Sequence, residues 1–110
     1  MSEMTQESTT RQAAAALIRR YYDAFNTGNS EVMLECLSDD IIHDVNQGER
    51  RQGKDKFSAF LARMGHHYEE KLGDITVMVS KDGTRAAAEF NVSGKYLHTE
   101  LGLPDAAGQT

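Results

Sequence analysis

The sequence predicts an α+β fold, with helices first and antiparallel strands after. Two observations carry this. Apolar residues recur at helical spacing as far as about residue 72 and then switch to a period of two. The helical segments precede a hairpin instead of alternating with strands, which points away from a parallel α/β sheet. At 110 residues the chain is long enough for one compact domain and too short for two.

The elements follow in order. The opening MSEMTQESTTRQ is polar and has no apolar h-region, so it does not read as a signal peptide; residues 1–10 read as a disordered lead-in to a single domain over 11–110. Ala14, Leu17, Ile18, Tyr21 and Phe25 form one helical stripe, capped by Thr9 or Thr10 and ended at Asn26-Thr27-Gly28. Ser30 caps a short second helix carrying Met33, Leu34 and Leu37, and SDD at 38–40 ends it. IIHDVNQG at 41–48 reads as a short strand closed by Gly48, and ERRQG as a polar loop. A third helix from Lys54 shows Phe57, Phe60, Leu61, Met64, Tyr68 and Leu72 on one face, with Asp55 in its first turn and Gly73 as its stop. Ile75, Val77 and Val79 then alternate with polar neighbours. KDGT is a hairpin turn, with Asp82-Gly83 at its positive-φ positions. The partner strand puts Ala86, Ala88, Phe90, Val92, Gly94 and Tyr96 on one face, and Gly94 suggests a bend or bulge. The expected architecture is three helices packed on a curved antiparallel sheet.

Composition narrows the function. A formal charge of −5 with no Lys/Arg cluster argues against nucleic acid or an anionic membrane surface as partner. No apolar run approaches a membrane span. The single Cys36 excludes an internal disulfide framework, fits a reducing cytoplasm, and beside leucines reads as a small buried hydrophobe. No phosphate loop, nucleophile elbow or cofactor fingerprint is present, so no cofactor is expected. His66 and His67 are consecutive and diverge on a helix, which does not suit a metal site.

RYYDAFNTGN, the SDD after the second helix, the strand ending in Gly48, GKDKF opening the third helix and RAAAEFNVSGKY occur in an order and spacing that resembles a known family. These segments are similar to SnoaL-like and ketosteroid-isomerase-like proteins of the nuclear transport factor 2 superfamily, over roughly residues 12–110. The resemblance implies a cystatin-like cone with an apolar pocket, a small apolar or carbonyl-containing ligand, cofactor-free chemistry, and a homodimer in the complete fold. It also implies two further strands after the GLP…GQT loop, so the domain is expected to be incomplete at its C-terminus. The fold fixes no activity by itself.

The isomerase pairs an Asp base with an oxyanion hole made of a Tyr and a protonated Asp. Its tyrosine corresponds to Tyr21. Its base corresponds to Val45, not an acid here, with Asp44 one residue before it. Phe90, Val92 and Gly94 match positions that line its pocket.

In a plain strand His43 shares a face with Val45 and Gln47, while Asp44 and Asn46 share the other. His43 is a candidate base or proton shuttle, because an imidazole titrates near neutrality; it reads as readily as a half-buried structural histidine. Asp44 and Asn46 reach the pocket only if the strand is bulged or its parity reversed. Tyr21 reads equally as oxyanion donor and as core tyrosine. Phe25, Phe57 and Met64 are core or pocket wall. The expected function is a small-molecule enzyme, isomerase- or cyclase-like, using general acid–base chemistry through Tyr21 and His43 or Asp44. The alternative is a non-catalytic dimerising or ligand-binding module, which Val45 favours.

Overall fold

The computed structural model describes residues 3–45, 50–99, 103 and 105–109. In order they form α1 (Glu3–Asn26), α2 (Ser30–Glu35), β1 (Ile42–His43), β2 (Arg51–Gln52), α3 (Lys54–His67), β3 (Tyr68–Val79) and β4 (Ala86–Tyr96). β1 pairs with β2 and β3 with β4, giving two two-stranded sheets. The contacts divide the chain into two compact units, Met1–Cys36 with Leu72–Val92, and Leu37–Lys71 with Ser93–Thr110.

In the first unit α1 begins at Glu3, not at a threonine cap, and takes in most of the stretch read as a lead-in. Glu, Met and Gln are good helix formers and no Gly or Pro interrupts them. The inward stripe is also shifted: Ala24 is buried, Ile18, Tyr21, Tyr22 and Phe25 are half-buried, and Leu17 is 44% exposed. The helix ends in a Schellman motif. Asn29 N–H donates to the Ala24 carbonyl at 2.8 Å and Gly28 N–H to that of Phe25 at 3.1 Å. Gly28 sits at φ +72, where a Cβ would be strained. The α2 cap is Asn29, one residue ahead of the expected Ser30; its side-chain oxygen accepts from the Val32 N–H at 3.2 Å.

The β3–β4 turn closes with Ser80 N–H donating to the Arg85 carbonyl at 2.8 Å. Only Gly83 of the expected pair has positive φ. Asp82 instead accepts from the Ser80 and Thr84 hydroxyls, each at 2.8 Å, and from the Thr84 N–H at 3.1 Å, an Asx-type brace across the turn.

In the second unit two corrections concern the expected third helix and the loop before it. Arg51–Gln52 is a strand, with Ile42 opposite Gln52 and His43 opposite Arg51. α3 stops at His67, because Tyr68 is extended (φ −134, ψ 147). Tyr68 and Leu72 therefore lie on β3, where Tyr68, Glu70 and Leu72 alternate with exposed Glu69 and Lys71. The tyrosine-acid-acid-lysine-leucine run satisfies both periods, and pairing with β4 selects the extended one.

The bulge expected at Gly94 lies across the hairpin. The alternation on β3 slips by one at Gly73–Asp74, and Asp74 holds φ +51, a bulge signature. Gly94 serves close approach instead. A Cβ there would stand 2.5 Å from the Glu69 carbonyl oxygen.

Candidate functional site

The β1–β2 hairpin is tied to the start of α3: Gly53 N–H donates to the Ile41 carbonyl at 2.7 Å, and Lys54 N–H to that of Asp39 at 3.3 Å. Strand parity then places the candidate residues. Ile42 (52% exposed) and Asp44 face outward, while His43 and Val45 are half-buried. On α3, Phe57 is buried and Phe60, Leu61 and Met64 are half-buried.

His43 sits in an aromatic nest. Its ring centroid is 4.8 Å from that of Phe57 at 85° and 4.7 Å from that of Phe60 at 62°, both edge-to-face. Burial lowers its pKa below the ordinary imidazole value and the facing Arg51 adds to this, with Asp44 opposing. The ring is therefore neutral at pH 7. Its Nδ1 is buried and finds no hydrogen-bond partner among the described residues.

Asp44 is in a different situation. Arg50 donates to both its oxygens, Nε at 2.7 Å and Nη2 at 3.0 Å, and the pair is exposed. These hydrogen bonds hold its carboxyl below the usual carboxylate range, which makes it a weak proton acceptor.

A groove of about 360 Å³ opens at the far end of the hairpin in this same unit. Tyr68 and Tyr96 stack there at 5.4 Å and 21°, with Glu70 and Gly94 beside them. Gln109 closes one side, its carbonyl accepting from Tyr96 N–H at 2.8 Å. Placing Tyr68 and Glu70 on a helix hid this groove from the sequence. The even spacing of Tyr68 and Leu72 in YEEKL, which suits a strand as well as a helix, was the one signal in the sequence that bears on it.

Tyr21 belongs to the other unit. It packs edge-on to Tyr22 at 5.0 Å, and Tyr22 packs on Phe90 at 5.2 Å. Burial, then Tyr22 and Cys36, push the Tyr21 hydroxyl up to about 12, so it stays a hydrogen-bond donor throughout the physiological range. Phe25 and Phe90 are half-buried in this unit, and Val92 is 53% exposed. Asn46 lies outside the described residues.

His66 stacks on His98 at 4.2 Å and 4°, and His67 Nδ1 lies 2.9 Å from the His98 carbonyl. Among the described residues no group of three or more His, Cys, Asp or Glu is arranged to hold a metal ion, and no helix is long and apolar enough to cross a membrane.

Helices leading into an antiparallel hairpin, with a half-buried histidine on the short strand between them, define an α+β domain of the kind the segment order implied. The chain belongs to the SnoaL-like family: the model of the SnoaL-like domain matches residues 18–110. Three solved structures share its fold. A candidate polyketide cyclase from Xanthomonas campestris pv. campestris is 48% identical, with a TM-score of 0.88, covering 91% of this chain and 74% of its own. One from Pseudomonas putida KT2440 is 53% identical (TM-score 0.85; 87% of this chain, 72% of its own). One from Silicibacter sp. TM1040 is 51% identical (TM-score 0.86; 89% and 72%). No curated protein matches the chain.

Proposed function

We propose that the protein acts on a small carbonyl-containing molecule by cofactor-free acid–base chemistry of the isomerase or cyclase kind, with His43 as proton acceptor. One observation carries this: the His43 imidazole is held neutral in a half-buried aromatic nest, and its Nδ1 has no partner among the described residues. A neutral imidazole whose tautomer is not fixed by that nitrogen can take a proton at neutral pH. The step breaks a C–H bond beside a carbonyl, forms an N–H bond on His43 and leaves an enolate. Proton return to another carbon completes an isomerisation; attack of the enolate on a second carbonyl forms a C–C bond and an alkoxide, which takes the proton back from His43 to complete a cyclisation. The polyketide-cyclase names of the three similar structures support this class of substrate. The family resemblance gives Tyr21 the role of oxyanion donor, and a hydroxyl that ionises only near 12 is chemically suited to donating.

The test is exchange of carbon-bound protons with D2O, followed by NMR, across a panel of β-keto esters and cyclic enones. Enzyme-dependent exchange should fall about 100-fold or more in His43→Gln, the range a general base contributes. Exchange unchanged in that variant would overturn the role.

A second reading, a non-catalytic binding module, is favoured by Asp44. The strand's nearest acid to the expected base position is exposed and engaged by Arg50. Ligands that bind without any exchange would establish it. A homodimer is part of the same proposal, supported by large apolar side chains left open such as Ile42, Met78 and Val92; sedimentation at micromolar concentration checks it.

A further inference from the structure

Helix α1 has a second face besides the one that packs inward. Tyr21 and Phe25 are half-buried on one side, while Ala16, Arg19, Arg20 and Asp23 on the opposite side are exposed. With Val32 of α2 these four line a groove of about 530 Å³, all within the first unit. The residues that line it and their neighbours in sequence all belong to the described part of the chain.

The charges on this face are balanced and two of them are open. Arg20 is held by Glu35, Nη2 donating to Oε2 at 2.6 Å. Arg19 and Asp23 remain, and neither side chain has a hydrogen bond or ion pair among the described residues. They stand four positions apart yet do not bond to each other. A base N-terminal to an acid is the poorer order for a pair within one helix. The groove thus presents one open cation and one open anion, separated by a rise of about 6 Å along the axis. Around them the face is apolar: Ala16 is small, Ala24 is buried and Val32 half-buried. Leu17, 44% exposed, flanks it at i+3 from Arg20 and i+7 from Ala24.

We propose that a second copy of this chain docks on this face, its α1 antiparallel to the first. In a twofold pair, residue i meets j and j meets i. An axis level with Tyr21, midway between residues 19 and 23, sets Arg19 of each copy against Asp23 of the other. Two ion pairs form from groups that have no partner within one chain. A parallel arrangement would set Arg19 against Arg19, so the charge order selects the antiparallel one. That order also opposes the two helix dipoles. A small anion or cation would match only half of the face.

The apolar part adds to the charges. Ala16 lets the helix axes approach closely, and Leu17 leaves water as they do. Tyr21 points to the other side of α1, so its packing on Tyr22 is untouched by the docking. This interface is separate from the homodimer proposed above, which draws on Ile42, Met78 and Val92. Where both form, the chain is a tetramer.

Sedimentation of the intact chain at micromolar concentration tests it, with Arg19→Asp and Asp23→Arg as the variants. Each sets like charges across the axis, should weaken the contact by about tenfold or more, and should halve the mass of the assembly. An equimolar mixture of the two variants should restore the parent mass, because one chain then carries both acids and the other both bases. The Arg19→Asp/Asp23→Arg double variant should restore it as well. Restoration on mixing separates lost contact from lost folding. If the parent is monomeric, the proposal fails. If the single variants keep the parent mass, association uses another surface, such as Met78 and Val92, and this proposal fails while the homodimer stands. If mixing restores nothing, Arg19 does not face Asp23 across an axis and the proposal fails too.

Discussion

The side-chain amide of Asn26 makes both hydrogen bonds that a neighbouring strand would make to Leu72. Its Nδ2 donates to the Leu72 carbonyl at 2.9 Å, and its Oδ1 accepts from the Leu72 N–H at 2.8 Å. Helix α1 is thus stitched to β3 by one residue, 46 positions away in sequence. Asn26→Ala leaves both backbone groups of Leu72 without this partner in a half-buried setting. It should cost about 1–3 kcal/mol, the range for orphaned polar groups, read from urea unfolding. Asn26→Asp keeps the acceptor and loses the donor, and should fall between.

Gly94 and Gly65 make opposite predictions. A Cβ at Gly94 meets the Glu69 backbone oxygen at 2.5 Å, which no side-chain rotation relieves. Gly94→Ala should destabilise by about 1–3 kcal/mol, as overpacking does. At Gly65 on α3 an added Cβ meets nothing within 4 Å. Gly65→Ala should stabilise by about 0.5–1 kcal/mol through helix propensity. Thermal melts of the two variants beside the parent chain check the signs.

His43 makes stability depend on pH in a definite direction. Its folded pKa lies below its unfolded value of about 6.5, because burial and Arg51 disfavour the cation. As pH falls below 6.5 the unfolded chain takes up the proton first. The contribution is full above 6.5 and is lost as pH falls toward the folded pKa. His43→Gln should flatten this part of the profile of unfolding midpoint against pH, and an unflattened profile would remove His43 as its source.

Tyr21 acts at the other end of the scale. Its folded pKa of about 12 exceeds the ordinary value of 10.0, so its contribution is present below pH 10 and lost as pH rises through 12. Tyrosinate absorbance should show a late transition near pH 12 that Tyr21→Phe removes. Tyr22 is raised too, by burial, and its own substitution identifies its share.

Asp44 offers a discriminating variant. Asp44→Asn keeps the shape and removes the charge that Arg50 holds. With His43 as acceptor, proton exchange should change by no more than a few-fold. A loss as large as that of His43→Gln would move the base role to Asp44.

Much of this was legible from the chain. Helical spacing from Ala14 to Phe25 and from Phe57 to Met64, and the Asp82-Gly83 turn, gave α1, α3 and the hairpin, because those patterns are local. The parity of His43 and Val45 against Ile42 and Asp44 was legible too, since strand side chains alternate whatever surrounds them.

Other features depended on neighbours far along the chain. Tyr68 and Leu72 fit a helix period and a strand period alike, and pairing with β4 decided between them. Gly94 looked like a bend until Glu69 was seen beside it. Arg50, Arg51, Lys56 and Arg63 are interspersed with neutral and acidic residues in the sequence, and only the hairpin laid against α3 gathers them on one groove. Sequence by itself determined the local elements and the family, through periodicity, turn chemistry and segment order. Tertiary structure decided what those residues face, and with it the neutrality of His43 and the engagement of Asp44, because burial and charge proximity arise only when distant segments meet.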